Sequence, residues 1–172
     1  MQNNSSILII DSKKEKKLLS KFKTYILKSS HKCVSETGTG IQYNNIKNSL
    51  NTVDYIFVVG SIVNRQSRSK VIQYDFSKIQ GFSLISNKKN SLYLNLICGA
   101  GTGSIIFNTL DKFAIIKNKT SIELHAVPSA MMLYYKKYGY KFKESCDDSE
   151  LNNIQSISDK IVGFLNKRKH LQ

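Results

Sequence analysis

The most constraining stretch of this chain lies between residues 92 and 127. Residues 92–98 (LYLNLIC) form an apolar run of strand length. Residues 99–104 (GAGTGS) are glycine-rich, and residues 105–116 (IIFNTLDKFAII) carry apolar side chains at helical spacing. Residues 121–127 (SIELHAV) read as a strand again. A strand, a glycine turn, a helix and a second strand make a crossover unit, which implies that the two strands run parallel.

The rest of the sequence supplies elements around that unit. Residues 5–11 (SSILIID) predict a first strand, with Asp11 and Ser12 suited to cap the helix after it. Residues 13–30 place Leu18, Leu19, Phe22, Tyr25 and Ile26 at helical spacing, with lysines on the other face. Residues 33–40 read as a loop and 41–50 as a short second helix. Residues 53–64 (VDYIFVVGSIVN) predict a strand with a bulge or bend at Gly60. Residues 65–70 form a polar basic loop, and 71–76 fit either regular structure. Residues 79–86 and 92–98 predict a hairpin around NKKNS. Pro128 suits the first turn of a helix that Gly139 would close, with a short strand at 140–142. Residues 154–165 (IQSISDKIVGFL) predict a C-terminal helix, continued by the basic tail NKRKHLQ. The expected order is β-α-α-β-β-β-α-β-α-β-α. It gives a mixed α/β fold with a central mixed sheet and helices on both faces. The 172 residues suit a single domain over 1–172, its C-terminal helix and tail filling about 150–172.

Composition narrows the partners. Lys and Arg number 26 against 12 acidic residues, for a formal charge of +14. Arg occurs only at Arg65, Arg68 and Arg168. Lysine gives diffuse positive potential and no bidentate reading of bases, so the excess suits an anionic partner without naming one. Heavy use of Ile, Asn and Lys also fits the coding bias of an AT-rich genome. No apolar run is long enough to span a membrane, and the N-terminal residues lack the basic region and cleavage site of a secretory leader. Cys33, Cys98 and Cys146 are scattered, odd in number and form no metal-ligand spacing. Free thiols in a reducing, intracellular compartment (cytoplasmic or nuclear) are therefore expected, and no metal.

Gly99, Gly101 and Gly103 sit where glycine lets backbone N–H groups approach a ligand and where a helix N-terminus adds positive partial charge. Both suit a phosphate. The loop lacks the Gly-Lys-Ser/Thr of a Walker loop and the spacing of a dinucleotide fingerprint. A plain strand-to-helix turn also explains it.

The next segment of the chain adds a second signal. Gly-Thr-Gly at 101–103 and Tyr-Lys-Lys-Tyr-Gly-Tyr at 135–140, in this order after strand 92–98, resemble the GNAT N-acetyltransferase superfamily. In that family a fourth strand leads into a pyrophosphate loop of form Q/R-x-x-G-x-G/A, and a later helix ends in a Tyr-x-x-x-Gly-Phe type signature. The resemblance covers about residues 5–142. It departs at Cys98, which stands where Gln or Arg is usual, at Pro128, which falls where an Asn is usual, and in the predicted helix where the family has a final strand.

The resemblance implies acetyl-CoA as co-substrate and a primary amine as acceptor. Main-chain groups of Leu96, Ile97 and Cys98 would pair with the pantetheine arm, and Gly99, Ala100, Gly101, Thr102, Gly103 and Ser104 would hold the pyrophosphate. Tyr135 aligns with the tyrosine that protonates the departing thiolate; packing of Tyr134, Tyr135 and Tyr138 against the sheet is the plainer reading of the same residues. Glu123 and His125, two apart on one strand, share a face, and either could take the proton of the amine. A structural ion pair for Glu123 and an ordinary hydrogen bond for His125 are the alternatives. Cys98 sits near a helix N-terminus, which lowers a thiol pKa, but no Cys-His pair is readable and a packing role suits it better. The second functional reading is a GNAT-like module without turnover, using its basic surface to hold nucleic acid or a protein assembly.

Overall fold

The computed structural model describes residues 6–28, 40–60, 63–65, 72–99, 101–125, 137–142 and 164–168. Its architecture is mixed α/β. The chain forms two compact units, Met1–Asn87 with Asn95–Thr109, and Lys88–Leu94 with Leu110–Gln172.

In the first unit, strands β1 (Ser6–Asp11), β2 (Tyr55–Gly60) and β5 (Ile79–Asn87) lie side by side, with the second half of β6 (Ser91–Cys98) next to β5. β1 pairs antiparallel with β2, Ser6 opposite Gly60 through to Asp11 opposite Tyr55. β2 pairs antiparallel with β5, and the register shifts between Val59 and Gly60, where the isolated glycine predicts a bulge. All six residues of β2 are buried, which is why its sequence runs apolar without alternation. Short strands β3 (Val63–Arg65) and β4 (Ile72–Tyr74) form a separate antiparallel pair, so 71–76 resolves into a strand and the start of a 3-10 turn, Phe76–Lys78.

Helices α1 (Lys16–Lys28) and α2 (Gly40–Thr52) belong to this unit. Asp11 starts α1: its carboxylate accepts from Lys13 N (3.0 Å) and Lys14 N (3.2 Å), while Glu15 accepts from Asp11 N at 2.8 Å. This reciprocal cap satisfies amides that the helix itself leaves open. Phe22 of α1 meets the rings of Phe76 and Phe82 edge-on, each at 5.6 Å. Around this trio Ile10, Ile26, Leu50, Ile56, Val58 and Leu84 close a core. Burying each Phe or Ile side chain contributes about 1.5–3 kcal/mol.

In the second unit, the first half of β6 pairs parallel with β7 (Ser121–His125), with Ser91 opposite Ser121 and Leu94 opposite Leu124. The crossover between them is α3 (Gly103–Ile116), as the glycine-turn pattern implies. Leu92, Leu94, Ile122 and Leu124 are buried on these strands, as are Leu110, Phe113 and Ala114 in the second half of α3. Lys137 and Tyr138 are helical, Gly139 comes after them at φ +67°, and β8 (Lys141–Phe142) is next. The remainder of the expected helix at 128–139 lies outside the described residues.

The C-terminus differs from its sequence pattern. The pattern places Phe164 and Leu165 at the end of a helix and Lys167 and Arg168 in a tail; instead Phe164–Arg168 is strand β9. It pairs antiparallel with β7, His125 opposite Phe164 and Ser121 opposite Arg168, and with β8 on its other side. A final strand is therefore present where the pattern predicts a helix in its stead. Helical spacing of apolar residues is a local signal, and main-chain pairing on two sides outweighs it. Residues 154–163 lie outside the described residues.

Candidate functional site

The glycine turn begins where β6 ends. Leu96 packs against the core of the first unit, and Cys98 is buried. Cys98 is disulfide-bonded, its partner lying outside the described residues. This corrects the expectation of free thiols and removes a low-pKa nucleophile at this position. Sequence spacing reports only cysteines that are near in the chain, whereas a disulfide joins segments that folding brings together.

Gly99 comes next, at φ +138°. A Cβ there would strike the Thr102 hydroxyl and stand 2.6 Å from Gly81 Cα and 2.8 Å from the Gln80 carbonyl oxygen. A Cβ on Gly81 would meet the same hydroxyl and come within 2.7 Å of the Cys98 carbonyl oxygen. Gly81, Gly99 and Thr102 thus pack as one tight group that only two glycines allow. Gly81 is not among the site residues the sequence suggests, although a lone glycine inside the strand-like run IQGFSLIS is itself a mark of close backbone approach.

Gly101 is different. Its φ is +75°, yet among the described residues beyond its chain neighbours no atom lies within 4 Å of where its Cβ would stand. The turn is therefore wedged on the Gly99 side and open on the Gly101 side. Thr102 precedes α3, in the position of an N-cap, and its carbonyl accepts from Ile106 N at 3.1 Å. Its hydroxyl is buried and makes no hydrogen bond among the described residues. It fills the gap beside Gly81 and Gly99 and does not cap the helix, so the first-turn amides take no acceptor from it. No acidic residue lies in the first turn of α3. No acidic side chain of that turn offsets the positive end of the helix, next to the backbone of Gly101. The helix opens at Gly103, so Gly103 and Ser104, read from the sequence as the end of the glycine loop, belong to its first turn; Ala100 lies outside the described residues. Asn95, exposed on β6, donates to the Ser86 hydroxyl at 2.8 Å.

The other predicted residues are placed separately. Glu123 on β7 stands opposite Tyr93 on β6 in the second unit. Lys88 lies 3.5 Å from the Glu123 carboxylate and 4.3 Å from the centre of the Tyr93 ring. Glu123 is mostly buried, at 17% side-chain exposure, so this contact is better shielded than a surface pair. Burial, and secondarily the Glu123 charge, push the Tyr93 phenol above its ordinary value. Of the two readings of Glu123, an ion pair is the one with a visible partner; neither Lys88 nor Tyr93 stands out in the sequence. His125 closes β7. Tyr134 and Tyr135 lie outside the described residues.

No protein-family model matches the sequence, and no curated protein does. Solved structures do match the fold. A protein from Lactobacillus plantarum provisionally named an N-acetyltransferase superposes with a TM-score of 0.58 at 14% identity, covering 96% of this chain and 99% of that one. A GNAT-family acetyltransferase from Staphylococcus aureus Mu50 gives 0.51 at 14% identity, over 95% and 99% of the two chains. An acyl-CoA N-acyltransferase from Pseudomonas aeruginosa gives 0.52 at 9% identity, over 94% and 99%. The chain has the GNAT fold, in a divergent sequence.

Proposed function

We propose that this GNAT-fold protein binds acetyl-CoA and transfers its acetyl group to a primary amine. The observation that carries the reading is the turn after β6. Gly101 leaves space on the open side of the backbone, at the start of a helix whose first turn holds no acid and whose N-cap hydroxyl is turned away. That arrangement suits a pyrophosphate held by main-chain N–H groups of residues 101–104. The Gln or Arg usual in the loop is absent, Cys98 standing there, so the hold is main-chain alone and correspondingly sensitive to salt.

Bound acetyl-CoA supplies an activated thioester. The chain's own residues position it and move the protons. The Cys98 carbonyl lies beside Gly81 of β5. Because strand backbone groups alternate between edges, this turns the main-chain groups of Ile97 to the edge away from β5, where they pair with the pantetheine arm between Leu96 and Cys98. The Ile97 N–H is then the donor for negative charge that grows on the thioester carbonyl oxygen. As the amine nitrogen bonds to the carbonyl carbon, its proton passes to Glu123 or His125, directly or through water. Glu123 must release Lys88 to do so. The carbon–sulfur bond breaks, and the Tyr135 phenol protonates the leaving thiolate.

Melting of the protein with and without coenzyme A tests the binding step. Ligand at about 100 times its dissociation constant adds about 2.7 kcal/mol, which raises the midpoint by roughly 5–10 °C in a chain of this size. An unmoved midpoint at low salt overturns the reading.

A further inference from the structure

The geometry points to a second site: the outward face of α1 is a docking strip for single-stranded nucleic acid, bound without regard to sequence. Lys17, Ser20, Lys21, Thr24 and Lys28 recur at three- and four-residue steps, so they share one side of the helix, and all five are exposed. Lys14 extends the row beyond the N-terminus of α1. The opposite side, through Phe22 and Ile26, is committed to the core. Along the axis the cations are spaced by about 6 Å and about 10.5 Å.

Solvation alone accounts poorly for this strip. No residue of α1 is acidic, and Lys17 and Lys21 stand four apart as like charges, an arrangement that destabilises a helix. Among the described residues, no ion pair engages Lys14, Lys17, Lys21 or Lys28; the pairs present use Lys13, Lys78 and Lys88. A helix kept merely soluble would mix signs.

Beside the strip lies an open cleft of about 580 Å³, lined by Ser20, Lys21, Thr24, Tyr25 and Lys28. Its chemistry is that of a strand-binding groove. Lysines meet phosphates, the two hydroxyls donate to phosphate oxygens, and the half-buried Tyr25 ring offers a surface on which a base can stack. Lysine is a point charge without the fixed fork of arginine, and contacts to phosphates carry no sequence information, so the site is indifferent to sequence. Among the described residues the large exposed apolar side chains are Ile105, Ile115 and Ile116, none of them on α1, which argues against insertion of this helix into a lipid surface.

The test is fluorescence anisotropy of a labelled oligothymidylate of about 15 nucleotides, titrated with the full chain over a salt series. Three strip contacts give a slope of log affinity against log salt of about −2. Lys17→Gln with Lys21→Gln and Lys28→Gln flattens that slope and lowers affinity at about 0.1 M salt by about 100-fold. The matched variant Lys47→Gln, Lys89→Gln, Lys112→Gln, which removes the same charge elsewhere, changes it by less than about threefold. Tyr25→Leu costs about tenfold on the single strand. Melting curves of each variant establish that it is folded. The proposal is overturned if the wild type does not bind, if the matched variant loses as much as the strip variant, or if a duplex or polyglutamate of equal charge binds as tightly as the single strand.

Discussion

Two glycines two residues apart should respond oppositely to the same substitution. At Gly101 an alanine meets no atom of the described residues beyond its chain neighbours within 4 Å, so its cost is that of the left-handed conformation at φ +75°. That is about 1–2 kcal/mol, offset in part by the reduced freedom of the unfolded chain. At Gly99 the strain of φ +138°, about 1–3 kcal/mol, is joined by a Cβ driven against the Thr102 hydroxyl, Gly81 and the Gln80 carbonyl. Overpacking of that kind adds about 1–3 kcal/mol. Gly99→Ala should therefore destabilise by roughly 2–6 kcal/mol and Gly101→Ala by about 1, read from urea unfolding curves. Coenzyme A binding should order them the other way among folded molecules. Gly101→Ala stays folded but puts a methyl group into the open side of the turn, and calorimetry should find its binding lost. Equal destabilisation by the two substitutions, or undiminished binding to Gly101→Ala, refutes the description of a turn wedged at one glycine and open at the other.

Thr102→Val removes a buried hydroxyl that makes no hydrogen bond among the described residues while keeping its shape, so it should stabilise the protein by about 1 kcal/mol and raise the melting midpoint by about 2–4 °C; a fall in midpoint contradicts this. The raised Tyr93 phenol favours the folded state at neutral pH. That contribution is whole below the ordinary phenol value of 10.0 and is lost as pH climbs through the higher folded value. Glu123→Gln removes the neighbouring charge and should bring the Tyr93 titration down in an NMR pH series, and an unmoved titration denies the coupling. Tyr135→Phe should lower kcat by about 100- to 10,000-fold with little change in acetyl-CoA affinity, measured beside Tyr134→Phe as control; equal small effects make Tyr135 a packing residue.

The elements legible in the sequence are those whose signal is local. The crossover at 92–127, the bulge at Gly60 and the cap at Asp11 each arise from residue types that favour one backbone geometry, and each is where the sequence puts it. The C-terminal strand is not legible, because Phe164 and Leu165 fit a helical stripe and their pairing with β7 and β8 depends on segments far away in the chain. The same holds at the site. The glycines of the turn announce themselves, but the tight group of Gly81, Gly99 and Thr102 joins β5 to the turn across some twenty residues of chain, and the disulfide at Cys98 is likewise a product of the fold. Lys88 lies just outside the strand that carries Tyr93, in a loop whose only readable feature is its turn chemistry, so its position between Glu123 and Tyr93 emerges only from the register.

The central claim is that the turn after β6 receives the pyrophosphate of coenzyme A through its main chain. Backbone amide NMR during a coenzyme A titration at low salt tests it most directly. The account predicts saturable shifts concentrated at the amides of Gly101, Thr102, Gly103 and Ser104, reversed by added salt. Saturable binding that leaves these four amides unmoved, or no binding at all, contradicts it.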